Sequence, residues 1–253
     1  MTERRVTDVA KIPAVTAGFW LIKILATTLG ETAGDTVSMS MHLGYLVATA
    51  LFAVVLALLI WRQIAAETFQ PLLYWATIIA STTAGTTLAD LATRSLGLGY
   101  PGGSLLLLGC VITSLAVWYR RLGSIDVVTV HAPQAELFYW VTITFSQTLG
   151  TALGDWTADT GGLGYAGAAI VFGAVLVVIA GLYFWTAVNR VMLFWAAFIL
   201  TRPLGAAVGD LIDKPRAQGG LALSRPVASA VLAAAILILI LALPQRAGED
   251  RRG

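Results

Sequence analysis

Trp20-Leu-Ile-Lys-Ile-Leu-Ala-Thr-Thr-Leu-Gly-Glu-Thr-Ala-Gly-Asp35 decides how this chain is read, because it recurs. Trp75 to Asp90, Trp140 to Asp155 and Trp195 to Asp210 have the same length. The tenth residue after each Trp is glycine: Gly30, Gly85, Gly150 and Gly205. The residue before each Asp is small: Gly34, Ala89, Gly154 and Gly209. This is a four-fold internal repeat, and a period of this kind settles the architecture before any single segment does.

The 253 residues are 58% hydrophobic and 12% charged, about half the charge of a soluble domain. Eight apolar runs are each long enough to cross a hydrocarbon core about 30 Å thick. The first, from about Ile12, is too polar at its centre for a cleaved signal peptide, and no small-residue cleavage site follows it. The expected fold is all-α, with eight transmembrane helices in four two-span repeats: 12–61, 71–121, 136–186 and 191–243. Residues 1–11 and 244–253 read as polar tails, and 122–135 as a polar connection between the halves.

Basic residues assign the sides. Ten lie at the termini and between pairs of spans: Arg4, Arg5, Lys11, Arg62, Arg120, Arg121, Arg190, Arg246, Arg251 and Arg252. Four lie within pairs: Arg94, Lys214, Arg216 and Arg225. The positive-inside rule then puts both termini in the cytoplasm. Trp20, Trp75, Trp140 and Trp195 would open the odd spans at the inner interface, as an aromatic belt or packed between helices. Each repeat crosses twice, so all copies enter in one orientation and their pseudo-symmetry axis lies along the membrane normal.

The even spans, such as Tyr45 to Trp61, carry no charge and suit lipid. The odd spans carry Lys23, Thr27, Thr28, Glu31, Thr82, Gln147 and Arg202 besides the four aspartates. Polar groups at membrane depth are stable only against protein or water, so the odd spans should form an inner ring and the even spans an outer one. Gly30 and Gly34, Gly150 and Gly154, and Gly205 and Gly209 are Gly-x-x-x-Gly pairs, with Gly85 and Ala89 as the small-residue version. They allow close backbone approach along one helix face.

Asp35, Asp90, Asp155 and Asp210 would lie about 22 Å above the tryptophans, as one layer near the outer ends of the inner helices. A layer of carboxylates attracts or ligates a cation. Two other readings compete: each Asp caps its own loop, or each is merely solvated at the interface. With Lys23 and Arg202 the only cations inside spans, against Glu31 and the aspartates, the interior carries −3 if all ionise. Bound cations or protons would relieve that charge. Lys23 and Arg202 serve pairing or gating, with Glu31 the expected partner. Pro203 after Arg202 suggests a break in the fourth inner helix. Ten residues beyond each Asp stand Gly44-Tyr45, Gly99-Tyr100, Gly164-Tyr165 and Gly219-Gly220, in loops read as compact turns or as re-entrant backbone.

The Trp, the Gly-x-x-x-small-Asp ending and the following Gly-Tyr, four times over roughly 12–243, resemble a family of bacterial integral membrane proteins. That family is defined by a repeat of unknown function and labelled uncharacterised membrane-anchored protein. The fourth copy, Thr201 to Asp210 with Lys214-Pro215, is similar to it as well. The resemblance implies the architecture and a bacterial inner-membrane location, and no substrate.

Function therefore rests on the residues. The leading expectation is a transporter or channel for a hard cation (Mn²⁺, Mg²⁺, Ca²⁺, Na⁺ or H⁺), with the four aspartates as tentative metal ligands. Thr27, Thr28, Thr82 and Gln147 would continue the path inward. The alternatives are a proton-linked exporter of a small organic molecule and a non-transporting scaffold. A soft metal or haem site lacks ligands, since Cys110 is alone in an apolar run and His42 and His131 lie on opposite sides. No His-Glu-x-x-His or Gly-x-Ser-x-Gly points to an enzyme, and no basic patch points to nucleic acid. Lipid is the implied partner, and self-association is compatible with the pattern.

Overall fold

Eight long helices make up most of residues 11–248, the part of the chain that a computed structural model describes. They are α1 Ala17–Asp35, α2 Gly44–Ala65, α3 Pro71–Asp90, α4 Gly99–Leu122, α5 Pro133–Asp155, α6 Gly164–Trp185, α7 Arg190–Asp213 and α8 Arg225–Ala242. Local chemistry starts them. Thr16 accepts from Phe19 N at 3.2 Å, Asn189 accepts from Val191 N and Met192 N, and Pro71 and Pro133 occupy first-turn positions where no N–H is needed. Arg4, Arg5, Arg251 and Arg252 lie outside the described residues.

Asp35, Asp90 and Asp155 each end an inner helix, and the chain then widens into a π turn: Thr36–Ser40, Leu91–Ser95 and Trp156–Thr160. The same backbone bond closes all three, Met41 N to Thr36 O at 2.8 Å, Leu96 N to Leu91 O at 2.9 Å and Gly161 N to Trp156 O at 2.7 Å. Gly44, Gly99, Gly164 and Gly219 follow with φ of 72°, 64°, 64° and 84°. That left-handed conformation suits glycine and reverses the chain at once, so these loops are compact turns. The fourth repeat has no π turn. Its helix runs on to Asp213 and stops at Lys214-Pro215.

The packing is cyclic. Helix α1 packs on α3 and α7, and α5 packs on the same two. Each even helix packs on the odd helix of the next repeat: α2 on α3, α4 on α5, α6 on α7, and α8 back on α1. The two ends of the described chain meet, with Ala14 N bonded to Arg246 O and Gly248 N to Ile12 O, both at 2.8 Å. The even helices bury only a few residues each, and Leu46, Leu105, Ile170, Val177 and Ile238 lie open. Five helices (α2, α4, α6, α7 and α8) are long and apolar enough to cross a membrane. The other three are the richest in hydroxyls, amides and acids.

Three sequence expectations need correction. Trp75, Trp140 and Trp195 do not form an interfacial belt; they are buried in an aromatic cluster with Phe19, Tyr74, Tyr139 and Phe198. Tyr74 and Tyr139 share a hydrogen bond of 2.7 Å inside it. Pro203 does not interrupt α7, which runs unbroken from Arg190 to Asp213, and its ring packs beside Gly150 of α5. Lys11 is not part of a solvated tail. It is buried, 2.7 Å from Glu136 on α5 and 3.1 Å from the Ile64 carbonyl.

The glycines explain how the four odd helices come so close. A Cβ on Gly30 would fall on Thr82, one on Gly85 on Gln147, one on Gly150 on Arg202, and one on Gly205 on Thr27. Each glycine thus seats a residue of the next repeat, and the fourth seats one of the first. Gly34 and Gly209 do the same for Thr86 and Glu31, and Gly154 for Ala206. Gly205→Ala is expected to destabilise the protein by about 1–3 kcal/mol through overpacking. Gly109→Ala, where an added Cβ meets nothing within 4 Å, should be neutral or stabilising by up to about 1 kcal/mol. Unfolding of both variants in mixed micelles measures the contrast, and equal effects would refute the seating.

Candidate functional site: a carboxylate layer over an arginine clasp

One face of each inner helix can be followed from its tryptophan in steps of four residues. Seven residues on stand Thr27, Thr82, Gln147 and Arg202; eleven on, Glu31, Thr86, Thr151 and Ala206; fifteen on, the four aspartates; nineteen on, Met39, Arg94, Asp159 and Lys214. Residues four apart share a helix side, so the repeats stack these columns into layers. The first three layers are buried, all twelve residues being no more than 3% exposed.

Arg202 closes the middle of the bundle. Its Nη2 lies 2.8 Å from Glu31 Oε2, 2.6 Å from Thr86 Oγ1 and 2.5 Å from Thr151 Oγ1. One guanidinium on α7 thereby touches α1, α3 and α5. Thr86 in turn donates to the Gly30 carbonyl at 3.0 Å. Glu31 is thus the partner of Arg202 and not of Lys23. The ammonium of Lys23 stands 4.1 Å from the centre of the Phe198 ring and 3.4 Å from Thr201 Oγ1, with no carboxylate at ion-pair distance among the described residues. Gln147 is fully buried, and neither its amide oxygen nor its nitrogen has a hydrogen-bond partner. Thr27 and Thr82 spend their hydroxyls on the Thr201 and Ala26 carbonyls of neighbouring helices, and Thr28 on Ile24 of its own.

The aspartate layer is held by cations from the turns above it. Arg94 Nε is 2.8 Å from Asp90 and its Nη2 is 3.0 Å from Asp155. Lys214 Nζ is 2.6 Å from Asp35 and 3.0 Å from Asp210. Each cation therefore bridges two carboxylates of adjacent inner helices. Arg225 adds a looser contact between Asp213 at 3.3 Å and Asp35 at 3.6 Å. Burial opposes the charge on Lys214, but Asp210 and Asp35 outweigh it and hold the ammonium protonated well above the ordinary lysine range. No aspartate of the four accepts a hydrogen bond from the backbone of its own turn among the described residues, so capping does not account for them.

Glu31, Asp35 and Asp210 come closest together. Each offers one carboxylate oxygen, and these atoms lie within 4.8 Å of one another; such a trio could hold a metal ion. Asp90 and Asp155 gather instead around Arg94. The expected single four-aspartate site is thus two paired halves. The unpaired interior charge of −3 is also corrected, since Arg94, Lys214 and Arg225 reach down from the turns and leave five aspartates, Asp213 included, facing three cations. In the sequence those cations stand as loop charges that report topology. The available signal was their spacing: Arg94 and Lys214 each stand four residues past an aspartate of the layer, on its own helix side.

Above the layer lies an open pocket of about 770 Å³, whose lining includes Arg94, Lys214, Arg225, Asp159, Tyr45 and Tyr165. Below the clasp the aromatic cluster fills the bundle. Arg202→Met is expected to cost about 3–5 kcal/mol of stability, because it strands the Glu31 carboxylate in the interior. Adding Glu31→Gln should return most of that loss. A double-mutant cycle on detergent unfolding reads the coupling, and strictly additive effects would show that the pair is not one.

The comparisons with known proteins bear on the repeat and not on the site. A family described as Repeat of Unknown Function (DUF347) matches four tandem stretches, residues 18–69, 73–123, 138–189 and 193–245. No curated protein and no solved structure matches the chain significantly. With four copies of that repeat covering most of its length, the chain belongs to the DUF347 repeat family.

Proposed function

We propose that this chain is a membrane transporter that exchanges a cation at the aspartate layer. In this reading all eight helices cross a bacterial inner membrane. The repeats run parallel about the membrane normal, with α1, α3, α5 and α7 inside and both termini in the cytoplasm. The positive-inside count supports the orientation, and it is reinforced because Arg94, Lys214 and Arg225 are tied to aspartates and so are not free outer charges. The hydroxyl-rich helices are shielded by the four apolar ones, as the low dielectric of lipid requires.

The observation that carries the functional reading is the excess of buried acid. Five buried aspartates face three cations, Arg94, Lys214 and Arg225, which themselves line the pocket outside, and each of Arg94 and Lys214 is shared by two carboxylates. Carboxylates in excess of their cations can take up a further cation once the shared side chains at the pocket move aside, and those shared counter-ions give it carboxylates to bind. The Arg202 clasp and the aromatic cluster close the bundle beneath, which suits a carrier with one open side and not a standing pore. Glu31, Asp35 and Asp210 are the proposed ligands, with Asp90 and Asp155 as the second half of the layer.

Proteoliposomes holding the protein should take up at least one cation from a panel of Na⁺, Mg²⁺, Mn²⁺, H⁺ and methylammonium. Asp35→Asn and Asp90→Asn should each lower that flux by about tenfold or more, a loss of roughly 1.4 kcal/mol or more, while the melting temperature stays near that of the wild type. Absence of all flux, or unchanged flux in both variants, would leave the scaffold reading in its place.

A further inference from the structure

The carboxylate layer already holds an ammonium ion, and it belongs to the chain. Lys214 Nζ sits between Asp35 Oδ2 at 2.6 Å and Asp210 Oδ1 at 3.0 Å. The three carboxylate oxygens of Glu31, Asp35 and Asp210 lie within 4.8 Å of one another. A tetrahedral nitrogen donating to two oxygens at ~2.8 Å sets them about 4.6 Å apart. An octahedral Mg²⁺ at ~2.1 Å draws adjacent oxygens to about 3 Å. The limit of 4.8 Å on the trio admits the ammonium spacing, and Lys214 Nζ between Asp35 and Asp210 occupies it in that way.

Two further observations point to an exchangeable occupant. Asp35 Oδ1 is buried without a hydrogen-bond partner, so the site has acceptor capacity that Lys214 does not use. The pocket directly outside is far larger than a metal ion needs, and the aromatic rings of Tyr45 and Tyr165 line it beside Met39. Aromatic faces and a thioether are suited to the carbon body of an organic cation. Lys214 can leave without any opening of the chain. Its backbone is held by Ala222 N to Lys214 O at 3.0 Å, with Leu221 N to Leu211 O at 2.7 Å and Leu223 N to Ile212 O at 2.9 Å alongside. Only the side chain has to rotate into the pocket it already lines.

We propose that the ligand of this site is a primary organic amine, whose ammonium takes the place of Lys214 Nζ between Asp35 and Asp210 while its carbon chain lies in the pocket along Tyr45 and Tyr165. This rests on reading the layer as a cation-exchange site. Lys214 is then a tethered competitor. It keeps the carboxylates paired when no amine is present, and one ammonium replaces another, so no carboxylate is left bare during exchange.

The test uses the full-length protein in nanodiscs, with 1,4-diaminobutane as the probe and Mn²⁺ and tetramethylammonium as comparisons. Lys214→Met removes the competitor and should tighten diamine binding by about tenfold, since the free site no longer shares its population with the tethered ammonium. Asp35→Asn should abolish diamine binding. Tetramethylammonium, which has the charge but no N–H donor, should not bind. Wild-type proteoliposomes should take up labelled diamine, which supplies the readout if Lys214→Met does not fold. Mn²⁺ binding without diamine binding would overturn the amine and leave the cation-exchange reading standing; binding of neither also overturns the amine, and the flux of Na⁺, Mg²⁺ and H⁺ then decides the cation-exchange reading. Tetramethylammonium binding as tightly as the diamine would also overturn the proposal, because only charge would then be recognised.

Discussion

The seating of one residue of each repeat in the glycine of the repeat before it is the contact on which the rest depends. Gly30, Gly85, Gly150 and Gly205 have no side chain, so Thr82, Gln147, Arg202 and Thr27 can press against bare backbone. Between helices in lipid there is little hydrophobic force to gain, and close packing with interhelical hydrogen bonds must supply the association. The same approach brings the Thr82 hydroxyl within 3.2 Å of the Ala26 carbonyl and the Thr27 hydroxyl within 3.2 Å of the Thr201 carbonyl. Because the fourth glycine seats a residue of the first repeat, the bundle closes on itself, and the packing of α8 on α1 completes the circuit from outside.

Closure decides where charge can go. A guanidinium in the middle of a packed bundle is tolerable only if every neighbour answers it, and Arg202 meets a carboxylate and two hydroxyls from three different helices. The aspartate layer solves the same problem differently. It borrows its cations from the turns, at the end of the bundle where water can reach, so its pairs can be broken at lower cost than the clasp can. The clasp is thus held from within the bundle by three helices, and the shared pairs are held from its end by side chains that line the pocket.

The repeat, the division into polar and apolar helices and the small-residue face were all legible in the sequence, because period and composition act locally. The partners of the charges were not. Lys23 and Glu31 lie eight residues apart on one helix and look like partners, yet Glu31 turns to Arg202 across the bundle while Lys23 rests on Phe198. Cyclic packing brings residues 31 and 202 together, and no local pattern contains it. The π turns after Asp35, Asp90 and Asp155 were equally hidden, since one i→i+5 bond leaves no compositional mark. Buried tryptophans in a chain of this composition read as an interfacial belt until their aromatic neighbours are known.

The departures from four-fold symmetry fall in a coherent order. At the seated layer three repeats carry uncharged side chains and the fourth carries Arg202; in the layer above, only the first carries an acid, Glu31, and the fourth gives up its polar group for Ala206. A charge on one helix at one level is matched by an opposite charge on the adjoining helix one turn higher, which is where a long arginine side chain arrives. At the top the fourth repeat loses its π turn, carries Gly219-Gly220 where the others carry Gly-Tyr, and gains Lys214-Pro215. The proline stops α7 just where the lysine must turn in toward Asp35 of the first repeat. Both specialised ion pairs thus bridge α7 to α1, the junction where the last repeat meets the first. A chain built from four equal units would place its one asymmetric site at that junction, because only there do the two ends of the sequence face each other and vary independently of the repeats between them.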